Sequence, residues 1–164
     1  MRNCFYIMLV CAAMLLTGCE GINYRSSVPT HPVHLEIDTH VGMYIHFVPE
    51  NVGTYLIADA GGIHLNGITQ PLTVLDAYGY AGTVVYIDGW HPYAAYDLCC
   101  PNCLRRDKPC VVDGMFAVCP ICGEKYDLAS GTAAPINGIA HEALRIYRAN
   151  YNTATGKLLV TLPQ

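Results

Sequence analysis

Two copies of one short pattern constrain this chain more than any other feature. They are Cys100-Pro101-Asn102-Cys103 and Cys119-Pro120-Ile121-Cys122, each a Cys-x2-Cys, separated by residues 104 to 118. Two thiols at this spacing on a tight turn face one point, and two such turns supply the four sulfurs of a tetrahedral ion. The interval between the pairs is close to that of a zinc ribbon. In the second copy Pro120 sets φ at about −65° and removes a competing donor, while Gly123 is free to take positive φ so that backbone N–H groups turn toward sulfur. The first copy is weaker, because Leu104 stands where glycine would help. Cys100, Cys103, Cys119 and Cys122 are therefore expected to bind one metal ion, Zn²⁺ or Fe. The chain holds nine cysteines, and the other five need separate readings.

Three of them belong to the first 19 residues. Arg2 gives a positive start, and Phe5 to Leu16 runs without a charge, the length of a signal-peptide apolar core and too short to span a bilayer. It ends in Leu16-Thr17-Gly18-Cys19, which resembles the bacterial lipobox. Residues 1–18 are expected to be a cleaved lipoprotein signal peptide, removing Cys4 and Cys11, and Cys19 the lipidated residue. Each buried CH₂ contributes about 0.8 kcal/mol and one acyl chain binds only marginally, so two or three chains are needed for stable anchoring. Residues 19–32, rich in Gly, Asn, Ser, Pro and Thr, read as a flexible tether. The expectation is an exported lipoprotein of the cell envelope, held on a membrane by its lipid, with residues 33–164 as a single domain.

The remaining cysteines, Cys99, Cys100, Cys103, Cys110, Cys119 and Cys122, lie together in a segment read as 99–128. Their even number and an exported location would also permit disulfides, giving a metal-free interaction module. Ligand spacing favours the metal. Cys99 and Cys110 are then spare thiols that either replace Cys103 or pair with each other. Four thiolates on a divalent ion carry a net charge near −2, and Arg105, Arg106, Lys108 and Lys125 are placed in sequence to offset it. The full chain has a formal charge of −4, one unit more negative without Arg2, which argues against a nucleic-acid partner.

The rest of the chain reads as short strands. Val33 to Thr39 alternates apolar and polar residues at the period of a half-buried strand. Met43–Val48, Thr54–Ala58, Thr83–Ile87, Tyr93–Leu98, Met115–Val118, Lys125–Leu128, Leu144–Ala149 and Lys157–Leu162 follow the same logic. Turn residues separate most of them, among them Gly61-Gly62, Asp88-Gly89 and Thr155-Gly156. Twelve tyrosines and many valines suit pleated surfaces. Only Ala140 to Leu144 suggests a helical turn. The fold class expected is all-β, a sandwich or barrel-like arrangement of antiparallel sheets.

From Thr83 to Leu162 the chain resembles a Rieske-type iron-sulfur domain. Val85-Tyr86-Ile87-Asp88-Gly89 and Tyr93 to Asp97 lead into Cys100-Pro101. Cys119-Pro120-Ile121-Cys122-Gly123 then precedes Tyr126-Asp127-Leu128 and Gly131, and Ala134-Pro135 with Gly138-Ile139-Ala140 falls where that family has its proline loop. The resemblance implies a Rieske-like β domain with two cluster loops and a 2Fe-2S cofactor. Cys100 and Cys119 match the family's two cysteines, but Asn102 and Cys122 occupy the places of its two histidines. A cluster with two imidazoles on the outer iron therefore cannot form here. With Cys103 recruited, both loops become knuckles of zinc-ribbon or rubredoxin type that converge on one ion. An all-cysteine 2Fe-2S cluster is the alternative.

Other residues carry weaker signals. His31, His34, His40, His46 and His64 are scattered over the first half, and His91 follows Trp90 in a turn. The glycine pairs lack the strand-glycine-helix context of a phosphate loop. Asp97 and Asp127 have no nearby His and Ser to suggest a hydrolase. A closed four-sulfur site leaves no coordination position for substrate, so the functional expectation is a structural metal in an envelope interaction module. An electron carrier at the same cysteines is the second reading, an enzyme in its own right the least favoured, and no protein or redox partner can be named.

Overall fold

The computed structural model describes residues 25–163; the signal segment and Cys19 lie outside them. Thirteen strands follow in order: β1 Val33–Asp38, β2 Tyr55–Asp59, β3 Gly62–Leu65, β4 Ile68–Gln70, β5 Ala77–Tyr78, β6 Thr83–Tyr86, β7 Ala94–Asp97, β8 Val111–Asp113, β9 Phe116–Val118, β10 Lys125–Asp127, β11 Ala134–Pro135, β12 Ile146–Asn152 and β13 Lys157–Thr161. Helical structure among the described residues is confined to two 3-10 turns, Gly42–His46 and Leu128–Ser130. The fold is all-β, as the alternating patterns require.

Nine strands form one curled antiparallel sheet in the order β4-β3-β2-β6-β7-β12-β13-β1-β5, and four form a small sheet in the order β11-β10-β9-β8. The small sheet is inserted between β7 and β12, which pair with each other through Ile146 opposite Tyr96. All of its strands are two or three residues long, too short to be stable alone. Its stability has to come from what it packs on and what its loops hold.

Two cores account for the sorting of side chains. Leu35, Ile37, Leu56, Val85, Ile87, Leu158 and Val160 fill the first, inside the curl of the large sheet. Val84, Tyr86, Tyr96, Leu98, Tyr126 and Leu128 build the second, between the back of β6 and β7 and the small sheet, and Cys100, Cys110 and Cys119 belong to it. Because side chains alternate along a strand, β6 sends Val85 to one core and Val84 with Tyr86 to the other. That explains why all four of its residues are buried.

Three expectations change. Met43–Val48 is not a strand: Gly42 takes φ of 60° and a 3-10 turn buries Tyr44, with Phe47 fully buried after it. Residues 140–144 form no helical turn. Residues 25–32, read as part of a tether, are docked on the domain. Val28 is fully buried with Ala81 and Cys99, and its carbonyl accepts from the Arg145 guanidinium. Ser27 Oγ donates to the Pro101 carbonyl at 3.3 Å, and Gly79 N–H donates to Pro32 O at 2.9 Å.

Candidate metal centre

Each cysteine pair sits on a turn built the same way. In the first, the N–H groups of Cys103 and Leu104 donate to Cys100 O at 3.2 and 2.9 Å. In the second, Gly123 N–H donates to Cys119 O at 3.0 Å. The residue closing each turn is left-handed, Gly123 with φ of 75° and Leu104 with φ of 51°. Leu104 thus adopts the conformation that glycine would take without strain. The knuckle holds despite the wrong residue.

The turns face each other. Sulfurs of Cys100, Cys103, Cys119 and Cys122 all lie within 4.8 Å of one another. Cys100 Sγ is 3.8 Å from Cys122 Sγ, and Cys119 Sγ is 3.8 Å from Cys103 Sγ. A regular tetrahedron with metal–sulfur bonds of about 2.3 Å has edges of about 3.8 Å; two of the six sulfur separations match that edge, and the other four are no longer than 4.8 Å, close enough for the four donors to share one ion. All six described cysteines are free thiols. This is the one grouping of three or more metal-ligating side chains among the described residues.

The sulfurs are surrounded by donors. Tyr126 Oη lies 3.1 Å from Cys100 Sγ, in the buried core. The Cys110 thiol, 3 % exposed, is the largest influence on Cys100: its hydrogen bond, with those of the Tyr126 hydroxyl, Cys103 N–H and Cys119, draws the Cys100 thiol down to about 4, against burial. Burial pushes the Cys119 thiol up, opposed by the N–H groups of Cys122 and Ile121, while burial and the neighbouring thiols raise Cys103. Burial, followed by the bond to Cys100, keeps the Tyr126 hydroxyl protonated. Such a set favours one thiolate from the start and releases the remaining protons when an ion binds.

Three of the four cations expected to offset the charge are engaged elsewhere, and the fourth, Lys108, is exposed. Arg105 forks onto Asp107 at 2.8 Å, Arg106 lies over the Tyr80 ring and Lys125 over the Phe116 ring. Hydroxyl, thiol and amide donors meet the sulfurs in their place. Neither spare cysteine joins the four: Cys110 lies beside Cys100, and Cys99 packs against Val28, its thiol raised to about 12 by burial and then by Asp97. Cys103 keeps its place in the quartet.

Glu124, directly after the second knuckle, is fully buried and was not singled out by sequence. Its carboxylate accepts N–H groups from Lys125, Asn137, Ile139 and Ala140 at 2.7 to 2.9 Å. Asn137 Nδ2 also donates to Gly123 O at 3.0 Å. The loop carrying the proline motif is thereby fastened over the knuckle.

His91 donates its backbone N–H to Asp88, and its ring lies 3.1 Å from the same carboxylate. His64 bridges Asp59 and Thr69, and the His31 ring meets Tyr80. Asp97 is a buried acceptor for the Tyr147 hydroxyl and the N–H groups of Tyr80, Ala81 and Cys99. Asp127 caps the 3-10 turn at Ala129. No family model matches the chain, and no curated protein matches it either.

Proposed function

We propose that this chain is an exported, lipid-anchored protein of the bacterial cell envelope. Its β domain, Rieske-like in its paired cysteine loops, holds one Zn²⁺ or Fe ion through Cys100, Cys103, Cys119 and Cys122 for a mainly structural purpose. The observation that carries the metal reading is the meeting of four sulfurs within 4.8 Å. The lipobox at Leu16 to Cys19 carries the envelope reading. A closed tetrahedral site offers stability in place of catalysis. Structural zinc contributes about 10 to 16 kcal/mol in small peptides, comparable to the ~5 to 15 kcal/mol of a whole domain. The small sheet, with its two- and three-residue strands, needs such a contribution.

The spacing favours one ion over a 2Fe-2S cluster, whose two irons and bridging sulfides would hold the thiolate pairs apart. A redox role then belongs to a single rubredoxin-like iron. Free thiols at all six positions speak against the disulfide reading. Protein purified without oxygen and analysed for metal and acid-labile sulfide separates the cases. One zinc per chain and no colour is the expected result for a structural site. One iron with thiolate colour and no sulfide indicates an electron carrier, and paired thiols with no metal would overturn the proposal.

A further inference from the structure

Strand β1 turns Leu35 and Ile37 into the first core, and alternation sends His34, Glu36 and Asp38 the other way. Its pairing with β5 stops at His34 opposite Ala77. The three polar side chains line a groove of about 260 Å³ together with Leu75 and Asp76, from the loop before β5, and Tyr44 of the first 3-10 turn. Each carboxylate has one oxygen engaged: Glu36 Oε1 by the Lys157 ammonium at 3.2 Å, Asp38 Oδ1 by His40 N–H at 2.9 Å and Asp76 Oδ2 by Thr73 N–H at 2.7 Å. No Lys or Arg lines the groove, so the charges of Asp38 and Asp76 have no cationic partner there. The Tyr44 side chain is 5 % exposed and reaches the same groove, yet its hydroxyl has no hydrogen-bond partner among the described residues. A nearly buried hydroxyl without a partner is the exception that a bound group explains. Burial, followed by the charge of Asp76, pushes its pKa up to about 12. It therefore stays protonated, able to accept an N–H at oxygen while its own proton turns to a carboxylate.

We infer that this groove binds a primary ammonium on an aliphatic stem, the ammonium lodged among Asp38, Asp76 and the Tyr44 oxygen and the stem lying along Leu75. An ammonium carries three outward donors, which serve acceptors standing apart from one another. A bare metal ion fits less well, because the cysteine quartet is the one group of three or more ligating side chains drawn within 4.8 Å among the described residues. Leu75 is 74 % exposed, and a stem laid over it removes apolar surface from water. The volume is below the roughly 300 Å³ at which sites for drug-sized molecules begin and suits a short alkylamine. Lys157 on Glu36 shows the chain's own alkyl ammonium meeting one of these carboxylates. The ligand is either a free amine or the lysine side chain of a polypeptide, and both offer the same chemistry. The inference is independent of the metal reading.

The test is calorimetric titration of the full chain, in the metal state in which it is purified, with a linear diaminopentane and with a capped Gly-Lys-Gly peptide. At least one probe should bind at a single site, and pentanol, which has the stem without the charge, should not. Asp76→Asn should weaken that binding at least tenfold and Tyr44→Phe several-fold, both with folding and metal content unchanged. Asp113→Asn, on β8 of the small sheet, should leave it as in wild type. Tighter binding of the diamine assigns the groove to free amines, and tighter binding of the peptide to a polypeptide's lysine. No saturable binding of either probe at millimolar concentration overturns the inference. So does binding that Asp76→Asn and Tyr44→Phe leave intact, or displacement of the probe by an equal concentration of Mg²⁺.

Discussion

The hydroxyl of Tyr126, in the middle of β10, points at the sulfur of Cys100, 3.1 Å away and shielded from solvent. The two residues are 26 positions apart and meet because β10 pairs with β9 through Tyr126 opposite Ala117, bringing the second core up to the first knuckle. Hydrogen bonds to a charged group contribute about 1.5 to 3 kcal/mol. Tyr126→Phe keeps the packing and deletes the donor. It should retain one ion per chain, unfold at a stability lower by about 1 to 2 kcal/mol, and surrender the ion faster to a chelator, measured by denaturation and by metal release.

The six clustered cysteines divide into ligands and bystanders. Cys119→Ser or Cys122→Ser should remove the ion and loosen the small sheet, visible as lost exchange protection over β8 to β11. Cys99→Ala and Cys110→Ala should keep full metal occupancy. Each should cost about 1 to 2 kcal/mol for the volume removed, with Cys110→Ala also losing a donor to Cys100. Loss of the ion from either alanine variant would mean that the quartet is wrongly assigned.

Leu104 and Gly123 hold the same left-handed position in the two knuckles, with opposite suitability for it. An alanine Cβ at Gly123 would meet nothing within 4 Å, so Gly123→Ala measures backbone strain alone and should destabilise by about 1 kcal/mol. Leu104→Gly should be neutral or stabilise by up to about 1 kcal/mol. Thermal melts of the metal-loaded variants check both signs.

Glu124 links acidity to the site. Burial raises its carboxyl, but the N–H groups of Ala140, Asn137, Lys125 and Ile139 outweigh burial and hold it below the usual glutamate value. A folded-state pKa lowered in this way adds stability that is fully present above the unfolded value of about 4.3 and is lost as pH falls through the folded one. Glu124→Gln should cost about 1 to 3 kcal/mol at neutral pH. The gap from wild type should narrow as pH drops below about 4, in paired denaturation curves. A gap independent of pH would show that the carboxylate charge is not what matters.

Much of this was legible in the sequence because it rests on local rules. Strand β1 alternates cleanly, and the ligand quartet follows from spacing. The hairpin between β3 and β4 also carried its signal, Asn66-Gly67, with φ of 51° and 79°, the residues a tight two-residue turn demands; the exposed β4 gave no apolar alternation to accompany it. Met43 to Val48 misled because Tyr44 and Phe47, three apart, suit a 3-10 turn as well as alternation suits a strand. Tyr126, Cys110 and Glu124 could not be assigned their roles, since each acts across the fold on partners that only the packing of the small sheet brings near.

X-ray absorption at the metal edge, on protein purified without oxygen, reaches the central claim most directly. One ion should appear with four sulfur neighbours at about 2.3 Å and no second metal atom nearby. Nitrogen or oxygen ligands, a metal–metal distance, or no bound metal in a folded chain would contradict the account.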